Sequence, residues 1–437
     1  MSNRTSHYET IIIGGGQAGL ATSYCLTERN RPHLVLEQAA RPAHVWSSER
    51  WDSFTLVTPN WSILLPGATY DEDAPEAFMP RDALVSYLDH YVARFRPPVR
   101  YGVRVSTVEG ESAPTRPSVR YTVRAKSADG EPLTFTAANV VVATGIDQQP
   151  KIPVYADALP TSIHQIHSSA YRNPSALPEG AVLVVGSAQS GSQIAEELYQ
   201  RGHRVYLCVG SAGRAPRRYR GDDIFRWLIR TGFFDRPAEQ LPSPQARFEG
   251  PPHISGTRGG HTLNLHQFAR DGVALLGRLQ GAHDGRIALA AGLHGNLAKA
   301  DQFETEVCDM IDRYIEQMGL EAPREELPRL RDGYAAEEIT SLDVRAAGIS
   351  TVIWAAGYTF DFSLVRLPVF DDYGFPIQTH GITRIRGLYF IGLPWLHGLK
   401  SGTFVGVGED AEWIARAIER ETDKAQATQV LDVDLAR

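Results

Sequence analysis

The stretch Tyr8–Gly19, YETIIIGGGQAG, constrains this chain more than any other. Ile11, Ile12 and Ile13 read as a buried strand, the glycines as a turn, and the residues from Gln17 and Ala18 onward as a helix. Gly14, Gly16 and Gly19 keep the spacing G-x-G-x-x-G. There the first glycine permits the tight turn and the second lets a pyrophosphate approach the backbone. The third lets the helix pack on the strand, and the helix N-terminus faces the phosphates. The next strand, HLVLE, closes on Glu37 beside Gln38, eighteen residues after Gly19. A carboxylate at that place takes the hydroxyls of an adenosine ribose.

The same pattern returns at Ala181, in AVLVVGSAQSG. A shift of 172 positions carries Gly14 onto Gly186, Gly16 onto Ala188 and Gly19 onto Gly191, with Gln189 and Ser190 opening the second helix. An internal duplication of this kind implies two dinucleotide units, hence two dinucleotides. The copies differ where Glu37 maps onto Val209. The second unit has no carboxylate there, and GSAGRAPRRYRGDD follows, with Arg214, Arg217, Arg218 and Arg220. An acid lost and arginines gained suit a 2′-phosphate, so the expectation is NADPH over NADH.

Around these units the chain reads as a mixed α/β protein. The segment from Arg41 to Gly67 places Trp46, Trp51, Phe54 and Trp61 within sixteen residues, too apolar for a disordered loop. Pro80–Phe95 is an amphipathic helix with Leu84, Leu88, Tyr91, Val92 and Phe95 on one face. Short alternating strands are expected over Val103–Val108, Val119–Ala125 and Leu133–Ala137, forming a small antiparallel layer. A separate buried strand, NVVVATG, follows from Asn139 and ends on Thr144 and Gly145. A second strand of this kind, TVIWAAGY, ends on Ala356 and Gly357, and GLYFIG ends on Gly392. Asn296–Met318 reads as a long helix with Phe303, Val307, Ile311 and Ile315 on one stripe. The last helix begins at glycine-rich Gly406 and Gly408, an N-terminus suited to the electron-rich end of a reduced ring system. The tail after Arg420 is polar and read as mobile.

Charge and cysteine usage narrow the function classes. A net charge of −7 over 437 residues argues against a nucleic-acid partner. Cys25, Cys208 and Cys308 are far apart with no C-x-x-C, so neither a redox dithiol nor a zinc knuckle is expected. His261 and His266 form no metal set. The polar residues 1–7 and the lack of a long apolar run place the protein in the cytoplasm, off the membrane.

The two glycine turns, the strands ending in Ala-Thr-Gly and Ala-Ala-Gly, and the C-terminal return resemble the two-dinucleotide-binding flavoproteins. Finer marks resemble the flavin-containing monooxygenases. His167-Ser-Ser-Ala-Tyr171 is similar to the end of their fingerprint F-x-G-x-x-x-H-x-x-x-[YF], although Thr161 and Ile163 stand where Phe and Gly would be. Asn60, in LVTPNW, stands where that family has an asparagine near the flavin. Ala355–Tyr358 resembles its late A-T-G-Y. The resemblance spans nearly the whole chain outside about 233–334.

The resemblance implies an α/β fold of two Rossmann-like domains, for FAD and NADPH, the second inserted in the first. The expected boundaries are 1–160 and 341–437 for the FAD domain and 161–340 for the NADPH domain, with an insertion near 221–335. It further implies an FAD monooxygenase that uses NADPH and O2 to oxygenate nitrogen or sulfur of a small molecule through a flavin C4a-hydroperoxide. The flavin carries the hard chemistry, so no catalytic triad is required. Asn60 is the expected positioning residue, and Trp46, Trp61 and Trp395 are expected to wall the flavin pocket. The alternatives are a flavoprotein reductase or oxidase, a Baeyer–Villiger oxygenase, and a non-catalytic redox sensor. A two-fold homodimer is the expected assembly.

Overall fold

The computed structural model describes residues 5–70, 73–110, 120–250 and 252–435, with backbone alone at 69 and 424–435. Val119 and residues 1–4 lie outside these.

Its principal elements begin with β1 (Ser6–Ile13), α1 (Gln17–Glu28), β2 (His33–Leu36), α2 (Arg81–Phe95), β3 (Val103–Gly110), β4 (Tyr121–Ser127) and β5 (Pro132–Val142). The middle of the chain contributes β6 (His164–His167), β7 (Ala181–Val185), α3 (Gln189–Gln200), β8 (Val205–Cys208), β9 (Ala274–Leu276) and α4 (Leu293–Met318). β10 (Ile349–Trp354), β11 (Leu388–Phe390) and α5 (Val407–Leu435) complete it.

Two sheets result. The first runs β11-β5-β1-β2 with parallel pairing, flanked by Gln378–Thr379 and Ile382–Thr383 on one side and Val99–Arg100 on the other. Residues alternate between its faces, so each face has its own core. Ile12, Val35 and Val141 meet α1, α2 and α5 on one side. Ile11, Ile13, Val140 and Val142 meet the layer of β3 and β4 and the aromatic residues Phe362 and Phe375 on the other. The second sheet is all parallel, in the order β6-β10-β7-β8-β9. It packs Val182 and Val184 toward α3, and Leu183, Val185 and Trp354 toward the other side.

Three boundaries differ from the sequence reading. Leu133–Ala137 and the strand from Asn139 form one continuous strand, β5. Its burial alternates through the antiparallel half and becomes continuous in the parallel half. That change in period is what one covered face followed by two covered faces produces. β10 belongs to the second sheet, paired with β6 and β7, so the chain returns to the first sheet after Trp354 rather than at 341. Helix α5 continues past Arg420 to Leu435.

The segment after β8 is held from behind by α4. Its stripe of Val307, Ile311 and Ile315 is buried against Ala215, Tyr219, Ile224 and Trp227. Among the described residues no helix is long and apolar enough to cross a membrane.

Candidate functional site

Strand register gathers the predicted residues. Ile13 pairs with Leu36 and with Val142, and Val142 pairs with Phe390. The residues that follow these partners therefore share one sheet edge: Gly14, Glu37 with Gln38, Thr144 with Gly145, and Gly392. In the second sheet Val185 pairs with Cys208 and Trp354. Gly186, Val209 and Ala356 with Gly357 share the matching edge. Carboxyl ends of parallel strands are where such sheets bind ligands.

The first turn has the conformation its glycines predict. Gly14 has φ +109°, and a Cβ there would lie 2.5 Å from the Ala143 carbonyl oxygen. A Cβ on Gly19 would collide with the Gly14 carbonyl. Gly16 is exposed with nothing within 4 Å of where its Cβ would be. It is the N-cap of α1, and no side chain caps that helix. The first N–H groups of α1 thus have no side-chain cap and are left for an anion. Glu37 accepts from the backbone N–H of Gly15 at 2.6 Å and of Ala39 at 2.7 Å, so its carboxylate braces the turn. Gln38 is exposed.

The C-terminal return closes on this turn. The Gln17 side chain donates to the Gly402 carbonyl at 2.6 Å. A Cβ on Gly392 would come within 2.7 Å of the Ala18 Cβ, so only glycine lets the return lie this close. In the first turn of α5, Asp410 is buried and receives a hydrogen bond from Ser401 at 3.3 Å. Burial pushes its carboxyl up to about 6.

The second turn repeats the first. Gly186 has φ +108°, and a Cβ on Gly191 would collide with the Gly186 carbonyl. Ala188 stands where Gly16 stood, with nearly the same backbone angles and again no side-chain cap on its helix. The Gln189 side chain donates to the Ile254 carbonyl, and Ser190 is half-buried in the first turn of α3. Val209 is buried in the core.

The arginines separate by environment. Arg214 makes a two-pronged pair with Glu304, at 2.9 and 2.7 Å, and a third contact to Asp301 at 2.8 Å. Arg217 pairs with Asp223 at 2.5 Å and donates to the Val57 carbonyl. Both are buried, so the structure assigns their charges to internal carboxylates. Arg218 is exposed, and among the described residues its guanidinium donates to the carbonyls of Gly259 and Gly260. Of the three, Arg218 alone is accessible to a ligand.

Asn60 is buried. Its Nδ2 donates to the Ala74 carbonyl at 3.1 Å, while its Oδ1 has no partner among the described residues. It therefore offers an acceptor rather than a donor. Trp46 is half-buried against Phe54 and Phe404, and Trp61 lies under the Arg226 guanidinium. Trp395 is buried in the loop after β11.

His167 and Tyr171 act in the framework. His167 Nε2 donates to the Gly357 carbonyl at 3.0 Å, and its Nδ1 accepts from the Ser169 backbone N–H at 3.1 Å. Burial holds this imidazole below its usual range, so it is neutral near pH 7. Tyr171 is fully buried and donates to Glu197 on α3 at 2.8 Å.

Sequence reading singled out Tyr358 but missed Arg50 and Asp147, which join it in a polar group between the two sheet edges. Arg50 lies over the Trp46 and Phe54 rings. Asp147 follows Gly145 and Tyr358 follows Gly357. The signal available was adjacency, since each loop residue sits beside a motif glycine or within the aromatic run.

Two sheets with matching glycine turns, and a return onto the first, make an α/β fold of two Rossmann-like units. Residues 11–227 match the family described as pyridine nucleotide-disulphide oxidoreductase. An uncharacterized CzcO-like oxidoreductase from Geobacillus kaustophilus is 30% identical over 413 residues, covering 94% of this chain and 98% of its own. A probable indole-3-pyruvate monooxygenase, YUCCA10 of Arabidopsis thaliana, is 32% identical over 207 residues, 47% of this chain and 52% of its own. The flavin-containing monooxygenase from Stenotrophomonas maltophilia shares the fold, with a TM-score of 0.62 at 18% identity over 95% of this chain and 99% of that one. The chain belongs to the family of the CzcO-like oxidoreductases.

Proposed function

We propose that the first glycine turn holds FAD, the second holds NADPH, and the enzyme oxygenates a nitrogen or sulfur nucleophile of a small organic molecule by the hydroperoxide route its family resemblance implies. The observation that supports this most is the closure of Gln17, Gly392 and Gly402 on the first turn. It brings the N-terminus of α5, a ready source of positive potential, to the edge where the first dinucleotide would lie. Uncapped helix N-termini and the open space at Gly16 fit the diphosphates.

When bound, FAD supplies hydride acceptance and oxygen activation. The chain's own residues orient and enclose. Glu37 braces the turn that meets the diphosphate, and Asn60 offers a buried acceptor. Trp46, Trp61 and Trp395 exclude water from the reacting face. Arg218 is the accessible partner for the 2′-phosphate.

The cysteines weigh against dithiol chemistry. They lie on α1, β8 and α4, and burial pushes each thiol up to about 12, where the reactive thiolate is scarce near pH 7. All three are free thiols, in keeping with a cytoplasmic enzyme. A two-fold homodimer belongs to the same reading and is checked by light scattering.

The test is anaerobic reduction of the purified holoenzyme by NADPH and by NADH, then rapid mixing with oxygenated buffer. The expected result is faster reduction by NADPH, then a transient spectrum matching neither reduced nor oxidised flavin, prolonged by NADP⁺. Immediate return to oxidised flavin with stoichiometric peroxide would replace this reading with a reductase or oxidase.

A further inference from the structure

Arg50 stands beside Tyr358, whose side chain it hydrogen-bonds, and near Asp147, with no carboxylate of the described residues in ion-pair distance. Its guanidinium donates to the carbonyl of its own neighbour, Glu49, at 3.0 Å. It lies 5.2 Å from the centre of the Trp46 ring and 5.9 Å from that of Phe54, so two aromatic faces fix its place. Neighbouring arginines are engaged. Arg81 pairs with Asp52 and Asp82, and Arg172 donates to the carbonyls of Ser48, Ser169 and Tyr171.

The backbone around Arg50 is stitched to the second domain. The Asp52 N–H donates to the Arg172 carbonyl at 2.8 Å, and Ser53 donates to Glu197 on α3 at 2.8 Å. Tyr358 follows Gly357 at the end of β10, and Asp147 follows Gly145 beyond β5. Both, together with His167, feel the Arg50 charge. In the order β6-β10-β7-β8-β9, the Tyr358 that Arg50 meets follows β10, on one side of the second turn, and Arg218 follows β8, on the other. A dinucleotide whose adenosine end meets the β8 side must pass the β10 side to reach the first domain.

We propose that Arg50 is a positioning residue for the nicotinamide dinucleotide, holding its pyrophosphate where the molecule crosses between the domains. This rests on the reading of the second turn as the NADPH site. A planar guanidinium held between rings matches the paired oxygens of a diphosphate.

The experiment titrates the oxidised holoenzyme with NADP⁺ and with 2′,5′-ADP, which lacks the pyrophosphate bridge, following protein fluorescence. Wild type is compared with Arg50→Gln, Arg50→Lys and Asp147→Asn, each with full absorbance at 450 nm as the check that FAD is retained. Arg50→Gln is expected to weaken NADP⁺ by about tenfold or more and 2′,5′-ADP by less than about twofold. Arg50→Lys recovers part of the loss, and Asp147→Asn does not weaken NADP⁺. Unchanged NADP⁺ binding in Arg50→Gln overturns the proposal, as does equal weakening of both ligands or loss of FAD. Equal losses in Asp147→Asn and Arg50→Gln reduce Arg50 to a structural partner of Asp147 and also overturn it. A wild-type protein that binds no NADP⁺ overturns instead the reading of the second turn, and the proposal with it.

Discussion

The two glycine turns share a backbone and differ in what surrounds it. Gly14 and Gly186 have φ of +109° and +108°, and each turn is closed by a glycine whose Cβ would strike the carbonyl of the first. The carboxylate of Glu37 braces the first turn, whereas the corresponding Val209 is packed into the core of the second. The first turn is covered by the C-terminal return through Gly402, the second by the segment containing Ile254. The comparison teaches that one turn geometry tolerates quite different side chains and covers around it, which is where a difference in ligand would have to be written.

The sharpest way to break the comparison is to add one methyl group to each turn. Gly19→Ala and Gly191→Ala both force a Cβ onto a backbone carbonyl, at a local cost on the order of 3 kcal/mol. Gly19→Ala is expected to purify without FAD, measured by the ratio of absorbance at 450 and 280 nm. Gly191→Ala is expected to keep FAD and lose most of its reduction by NADPH. The same phenotype from both variants would show that the turns are one site.

The arginines come next. Arg214→Gln leaves Glu304 and Asp301 facing each other without their cation, and is expected to destabilise the protein by about 3 kcal/mol, read as a lower denaturant midpoint. Arg218→Gln is expected to leave stability unchanged and to raise KM for NADPH several-fold, on the order of the 1–2 kcal/mol of a charged hydrogen bond. KM for NADH should not move. If Arg214→Gln instead changed nucleotide preference at constant stability, the assignment of its charge to the interior would be wrong. The smallest effect is expected from Ala188→Gly, which recreates Gly16 in the second turn. The backbone angles there are already those of Gly16. NADPH binding should change by less than about 1 kcal/mol, checked by titration.

The turns were legible in sequence because their requirement is local. A tight approach between residues five apart needs glycine whatever the rest of the chain does. The strands ending in small residues were legible for the same reason, but not the sheet each joins. β5 and β10 carry the same signature since both end in small residues at the carboxyl edge of a parallel sheet, and only pairing with β7 assigns β10 to the second sheet. The arginine loop was read by composition, yet Arg214 and its partner Glu304 are 90 positions apart. A cation 90 residues from its carboxylate looks free until the chain is folded. Asn60 was placed by resemblance, and the direction of its hydrogen bond was visible only once Ala74 was seen to accept from it.

The paired crossings between the sheets have a mechanical consequence. Gln149–Pro150, leaving the first sheet, pairs antiparallel with Tyr358–Thr359, returning to it. The Gly357 carbonyl accepts from both the Lys151 backbone N–H and His167, tying the ribbon to the second domain. Two strands joined side by side bend readily across their plane and resist twisting about their length. The two passages of the chain between the sheets are therefore one braced strap, each holding the other in register, rather than two independent tethers.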